Sequence, residues 1–270
     1  NTALPECKGK YVKVLDSDDY FNTEEFDKFI SELSSRNEEL VLTDCNIVDK
    51  EGTITDSFLV DLQPRKVIPI RTFHKTLQMH NVTYKTSIFR QFNYKQSEGI
   101  PYTDQEWLFM PMTQVKSIVY LPYNVYQYLI GRDGQTMDIK VYLKNIDKEI
   151  IILKRMVQQW SEEIPEKNAA KLFIDSGILQ RFRLILIDIH KYNGLNKSLF
   201  IELDKYIKNN YPKFYTYSSE NSYFGKYFKY KWLKHWRKDY SLTKTNIMFT
   251  LFDLYLKLRQ IKRTIKKVIP

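Results

Sequence analysis

Two short acidic stretches hold the side chains best suited to chemistry. Asp16-Ser17-Asp18-Asp19 places three carboxylates within four residues, and Tyr102-Thr103-Asp104-Gln105-Glu106-Trp107 places two more within three. Carboxylates one residue apart on a tight turn, such as Asp16 and Asp18, can share a hard divalent cation, Mn²⁺ or Mg²⁺. A cation held there bridges a diphosphate and neutralises the charge that builds as it leaves. Acidic turns also start helices without binding anything, and spacing alone does not separate the two cases. In the second stretch Thr103 and Glu106 have capping-box spacing, which makes Glu106 a cap. A carboxylate in the first turn of a helix is held in place and kept ionised by the helix dipole. Asp104 is therefore suited to accept a proton from a hydroxyl. His80 and the turn carrying Arg132 and Gln135 are weaker candidates, because a lone histidine and a polar loop are usually structural.

The elements that must position these residues can be read from periodicity. Residues 11–15 (YVKVL) form a β-rich run that ends at the acidic turn. Asn22 stands three residues before Glu25, a helix start, and Phe26, Ile30 and Leu33 supply that helix's apolar stripe. Strands are expected at residues 39–46 and 117–121. Residues 79–90 suggest a strand passing into a helix, and Thr103 should cap a helix through Trp107 and Met110. From about residue 139 the pattern lengthens. Ile146, Ile150, Leu153, Val157 and Trp160 fall at helical spacing, and residues 172–189 give a very apolar helix in which Gly177 is the weak point. A third helix spans residues 199–207. A Tyr/Ser/Asn linker is expected over 215–222, then a basic-aromatic segment over 226–238 and a closing amphipathic helix.

Residues 9–21 (GKYVKVLDSDDYF) closely resemble the metal-binding segment of glycosyltransferase family 2, whose members have the GT-A fold and carry an Asp-x-Asp motif after such a strand. By that resemblance Asp18 is the direct metal ligand, Asp16 helps hold donor and metal, and Asp19 is a weaker donor-site residue. Asp104 matches the family's general base, with Thr103 standing where the family has Glu. Residues 126–137 (YQYLIGRDGQTM) resemble a Tyr-rich Gly-Arg-x-Gly-Gln-Ser stretch, which makes Arg132 and Gln135 donor- or acceptor-binding residues. His80 is a further acceptor-site residue. The resemblance implies an α/β fold: a partial GT-A (Rossmann-like) glycosyltransferase domain over residues 1–138, then an all-helical, basic C-terminal region over 139–270. It implies a nucleoside-diphosphate sugar donor, UDP-linked, and a saccharide or lipid-linked acceptor, as in bacterial surface-polysaccharide synthesis. Family members begin with nucleotide-binding Rossmann-like units that do not precede Asn1. By typical domain size roughly 80–90 residues are expected to be missing, and with them the units that bind the donor's base and ribose.

Charge is unevenly divided. Residues 1–140 carry a net charge of −4 and residues 141–270 a net +14, within a total of +10. A basic half suits an anionic partner. Basic residues interleaved with aromatics over 226–270 fit an anionic membrane surface or equally a helical subdomain packed on a core. Single-stranded nucleic acid is the rival partner, but no nucleic-acid motif supports it. The alternative to an enzyme is a basic membrane- or nucleic-acid-binding module whose acidic turns are structural, or an inactive remnant. Apolar runs are too short to span a membrane. Cys7 and Cys45 make no metal or disulfide pattern, which fits the cytoplasm, with a peripheral position on the inner membrane face.

Overall fold

The computed structural model describes residues 1–132, 139–191, 197–224 and 228–240, together with Ile247, Thr250, Leu251 and Leu254. Two compact units form: Asn1–Met156 with Glu163–Ile178, and Val157–Glu162 with Leu179–Pro270. The strands are β1 (Tyr11–Val12), β2 (Tyr20–Phe21), β3 (Leu40–Val48), β4 (Ile54–Phe58), β5 (Ile68–Pro69), β6 (Val82–Lys85), β7 (Ser117–Leu129), β8 (Tyr223–Phe224) and β9 (Phe228–Lys231). The helices are α1 (Thr23–Ser34), α2 (Asp104–Phe109), α3 (Ile139–Lys144), α4 (Ile146–Glu162), α5 (Lys171–Lys191), α6 (Lys197–Asn210), α7 (Pro212–Asn221) and α8 (Trp232–Trp236). The chain is thus α/β in its first half, as expected, and mainly helical in its second, where the short antiparallel pair β8-β9 interrupts the all-helical pattern expected there.

The first unit is built on a mixed sheet ordered β1-β6-β3-β7-β2, with β4 added to β3 and β5 to β7. Strand β3 is central. It runs antiparallel to β6 and β4 and parallel to β7, and its residues are buried almost throughout. Polar groups near its end are paired, as burial requires. Asp44 accepts the Tyr120 hydroxyl and the Val60 N–H, and Asn46 bonds Gln127 and Ser57.

Helix α1 starts where the sequence marks it. The Asn22 side chain accepts the Glu25 N–H at 3.0 Å, and Phe21 stacks on Phe26 at 4.9 Å, a hydrophobic staple that sets the entry angle. Its buried face differs from the expected stripe. Phe29 and Leu33 enter the core against Val41, Val119, Leu121 and Val125, with Phe26 partly buried. Ile30 faces solvent at 45% exposure, because positions 26, 29 and 33 share one side of a 3.6-residue helix.

Helices α5 and α6 are longer than expected, and α5 runs unbroken through Gly177. The expected linker over 215–222 is mostly helix α7. Pro212 opens it at a position where no N–H is needed, and Phe214 and Ser218 form its buried face. Phe182, Phe200 and Phe214 meet in one aromatic core, which Trp160 and Trp236 join. Trp232 and Trp236, in the basic-aromatic segment that fitted an anionic surface and a packed helical subdomain equally, are 1% and 3% exposed and so are packed. Ile247, Leu251 and Leu254 are exposed; the basic run over 255–270 lies outside the described residues. No described helix is long and apolar enough to cross a membrane.

Candidate functional site

Strand β7 closes the acidic turn. The Tyr126 hydroxyl accepts the Asp16 N–H at 3.0 Å and donates to the Asp19 carboxylate at 2.7 Å. The Leu129 N–H donates to the other Asp19 oxygen at 2.9 Å. Within the turn the Asp19 N–H donates to the Asp16 carbonyl at 3.1 Å. His80 arrives from the short turn Met79–Asn81 that leads into β6. The Asn81 amide anchors this turn by donating to the carbonyls of Thr43 and Phe58 at 2.9 and 3.0 Å. The His80 ring is packed against Tyr128 and Tyr126, with centroids 4.5 and 4.7 Å away, and against Phe58 at 6.1 Å. One ligand atom from each of Asp16, Asp19 and His80 falls within 4.8 Å of the other two.

The electrostatics separate these groups by role. Burial, with the Lys13 charge as a lesser cause, brings the His80 pKa down to about 4, so the imidazole is neutral near pH 7. Its Nδ1 is buried and has no hydrogen-bond partner among the described residues. Neutral imidazole is the form a metal takes as ligand. Lys13 donates to the His80 and Val82 carbonyls at 2.6 and 3.3 Å, and burial lowers its ammonium to about 7. Burial pushes the nearby Cys45 thiol up to about 12, which leaves it uncharged.

Burial raises Asp16 above its ordinary value, and the charges of Asp19 and Asp104 raise it further. Asp19 is also raised by burial, against the opposing bonds from Leu129 and Tyr126. Tyr128 is raised by burial and then by the charges of Asp19, Asp16 and Asp104. The Asp104 charge thus acts on both Asp16 and Tyr128.

Asp104 opens α2, and the residue just before Thr103 is held unusually. Tyr102 has φ +67°, a left-handed conformation costly for a side chain of this size. Such conformations recur where a site needs exact placement. The expected capping box is not made. The Thr103 side chain forms no cap, and its hydroxyl accepts Gln96 Nε2 at 2.9 Å. Glu106 is a buried anchor rather than a cap. It accepts the Ser97 N–H at 2.7 Å and pairs with Arg155 at 2.8 Å, so the loop before α2 is tied to α4. A buried carboxylate offered a guanidinium and an amide takes those partners over a weaker cap.

The sequence pairs Asp16 with Asp18. The structure brings Asp19 and His80 to Asp16 and gives Asp18 to Arg132 as an ion pair. Gln135 lies outside the described residues.

No family model and no curated protein matches the sequence. Among solved structures the chain is similar to Staphylococcus aureus TarS 1-349 in complex with UDP, at 17% identity and TM-score 0.39, over 83% of this chain and 70% of that one. For the same protein in complex with UDP-GlcNAc the identity is 12% and the TM-score 0.42, over 88% and 70%. For a further TarS crystal structure they are 13% and 0.38, over 80% and 40%. Identities and TM-scores this low bring no function to the chain.

Four residues of the site escape a sequence reading. Lys13, Phe58, Tyr126 and Tyr128 sit on or beside strands, where any of them passes for ordinary sheet packing. Only Tyr126 and Tyr128 leave a trace, since positions two apart on a strand share a face.

Proposed function

We propose that the chain is the catalytic part of a glycosyltransferase that moves a sugar from a nucleoside diphosphate to an acceptor hydroxyl, with inversion. The observation that carries this is the convergence of Asp16, Asp19 and His80 within 4.8 Å, with Asp104 in electrostatic reach. The order of the motifs, which resembles that of glycosyltransferase family 2, supports the same conclusion and a partial GT-A domain over residues 1–138.

Two carboxylates and a neutral imidazole fit Mn²⁺ or Mg²⁺. Bound there, the cation would supply positive charge to the diphosphate as it leaves. The protein's own groups do the rest. Asp104 takes the proton from the acceptor hydroxyl as its oxygen attacks the anomeric carbon, and the bond to the diphosphate breaks on the opposite face. Arg132, once released from Asp18, offers paired N–H donors to phosphate oxygens. The half-buried rings of Phe58 and Tyr128 wall the site beside His80. The acceptor is a saccharide, free or lipid-linked, and in the lipid-linked case the enzyme works at the inner membrane face.

A basic binding module is less well supported, because stacking on bases or lipid needs exposed aromatics and Trp232 and Trp236 are buried. Calorimetric titration with uridine diphosphate, with and without Mn²⁺, tests the proposal. Metal-dependent binding supports it. Salt-sensitive binding to oligonucleotides, with no response to Mn²⁺ or nucleotide, would move the assignment to the basic module.

A further inference from the structure

One phenol holds both ends of the acidic turn. Tyr126 lies more than a hundred residues along the chain from that turn, on a strand whose pairing is fixed independently. Cys45↔Tyr126 is a parallel contact and Phe21↔Tyr126 an antiparallel one, so β7 is gripped on both edges at this residue. Its hydroxyl uses both of its capacities on the turn. It accepts the Asp16 N–H at 3.0 Å and donates to Asp19 Oδ2 at 2.7 Å. The Leu129 N–H fixes the second Asp19 oxygen at 2.9 Å. The Tyr126 ring meets the His80 imidazole nearly edge-on, with centroids 4.7 Å apart and planes at 65°.

Each of the three groups that meet within 4.8 Å is thus touched by Tyr126: Asp16 through its backbone, Asp19 through its carboxylate, and His80 through its ring. The contacts do not depend on the chemistry of Asp18. They also differ from packing contacts, because the hydroxyl could be removed while the ring stays in place.

We propose that Tyr126 is a positioning residue for a divalent cation held by Asp16, Asp19 and His80, fixing the carboxylate orientation and the spacing of the turn. This rests on the metal assignment made above. Without the hydroxyl, Asp19 loses one of the two bonds that orient it and the Asp16 N–H loses its partner, so the turn must find its metal-binding shape at the moment of binding. Groups that orient metal ligands typically account for about 10–100-fold in affinity. Tyr126 makes no contact with the metal in this scheme and acts only through its ligands.

The test is titration of Mn²⁺ alone into the 270-residue chain and its Tyr126→Phe variant, with thermal unfolding followed in parallel. The wild type should bind Mn²⁺, and Tyr126→Phe should bind it about 10–100-fold more weakly while still unfolding cooperatively. In an Asp19→Asn background the same substitution should cost less affinity, since the hold on the Asp16 N–H is then the main bond left to lose. Equal Mn²⁺ affinity in wild type and Tyr126→Phe overturns the positioning role and leaves the metal assignment intact. No Mn²⁺ binding by the wild type overturns both. Should Tyr126→Phe fail to fold, 3-fluorotyrosine placed at position 126 gives a second measurement. Mn²⁺ should broaden its fluorine resonance beyond detection, and a resonance that stays sharp at saturating Mn²⁺ overturns the proposal.

Discussion

Arg132 and Asp18 form an ion pair across 114 residues of sequence, between the end of the long strand β7 and the acidic turn. The pair is partly exposed, with side-chain exposures of 40% and 35%. It occupies the carboxylate that the Asp-x-Asp pattern marks as the direct ligand, while Asp16, Asp19 and His80 make the close group. Geometry and motif therefore order the carboxylates differently. If the geometry governs, Asp19→Asn will weaken Mn²⁺ binding more than Asp18→Asn. Calorimetry on the two variants decides it, and the reverse order would restore Asp18 as the ligand.

The same pair should contribute little to stability. Exposed ion pairs are typically worth about 0–1 kcal/mol, so Arg132→Ala should leave the unfolding free energy almost unchanged. Its effect should appear as weaker binding of a nucleoside diphosphate, if the guanidinium turns from Asp18 to phosphate. A large loss of stability together with unaltered nucleotide binding would make Arg132 purely structural.

Asp104→Asn separates base from binding site. Removing a positioned general base costs about 10²–10⁴ in rate, or roughly 3–5 kcal/mol of barrier, while the donor and metal groups remain. Transfer should fall by that factor at unchanged Mn²⁺ affinity near pH 7. A second consequence follows from the Asp104 charge, which helps raise the Asp16 pKa. Asp104→Asn should lower that pKa and so extend Mn²⁺ binding to lower pH. Near-normal turnover, measured with a competent donor and acceptor, would remove Asp104 from the base's role.

How much of this was legible beforehand depends on range. Local signals worked: Asn22 caps α1, the acidic turn is a turn, and the helical periods over 146–160, 172–189 and 199–207 fall in helices. Signals that depended on competition for partners did not. Thr103 and Glu106 have cap spacing, yet Arg155 and Ser97 claim Glu106, and no local rule foretells a guanidinium some fifty residues away. The Asp16 stretch was singled out from residue type, but its meeting with His80 depends on where β7 and β6 lie in the sheet. The role of Tyr126 was illegible for the same reason. A tyrosine in a strand is unremarkable until its register places the hydroxyl against Asp19.

In the second unit Arg237 and Asp204 are a buried pair, 2.7 Å apart and 4% and 0% exposed. Arg237 also donates to the Tyr215 carbonyl and to the Ser218 and Ser219 hydroxyls, and it stacks on the Tyr215 ring at 3.8 Å. Removing one partner strands the other charge in the interior, at a cost of about 3–5 kcal/mol. Asp204→Ala should lose that much in urea unfolding. A loss below about 1 kcal/mol, the range of surface pairs, would mean that water reaches the guanidinium.

His80 makes a prediction about pH whose sign is fixed by its environment. Its pKa is about 4 in the folded chain and about 6.5 when unfolded. Between those values the unfolded chain binds a proton that the folded chain refuses, so unfolding becomes harder as pH rises. The stabilisation is complete above pH ~6.5 and is lost as pH falls toward about 4. Its full size is about 3 kcal/mol, at 1.36 kcal/mol per unit. Asp16 and Asp19, raised by burial, work in the opposite direction over part of this range, so the wild-type profile alone is not diagnostic. The difference between wild type and His80→Gln isolates the histidine. That difference in unfolding free energy should grow in favour of wild type from pH 4 to 6.5. A flat difference would show that the imidazole titrates normally in the fold, and a protonated His80 could not serve as a metal ligand below pH ~6.5.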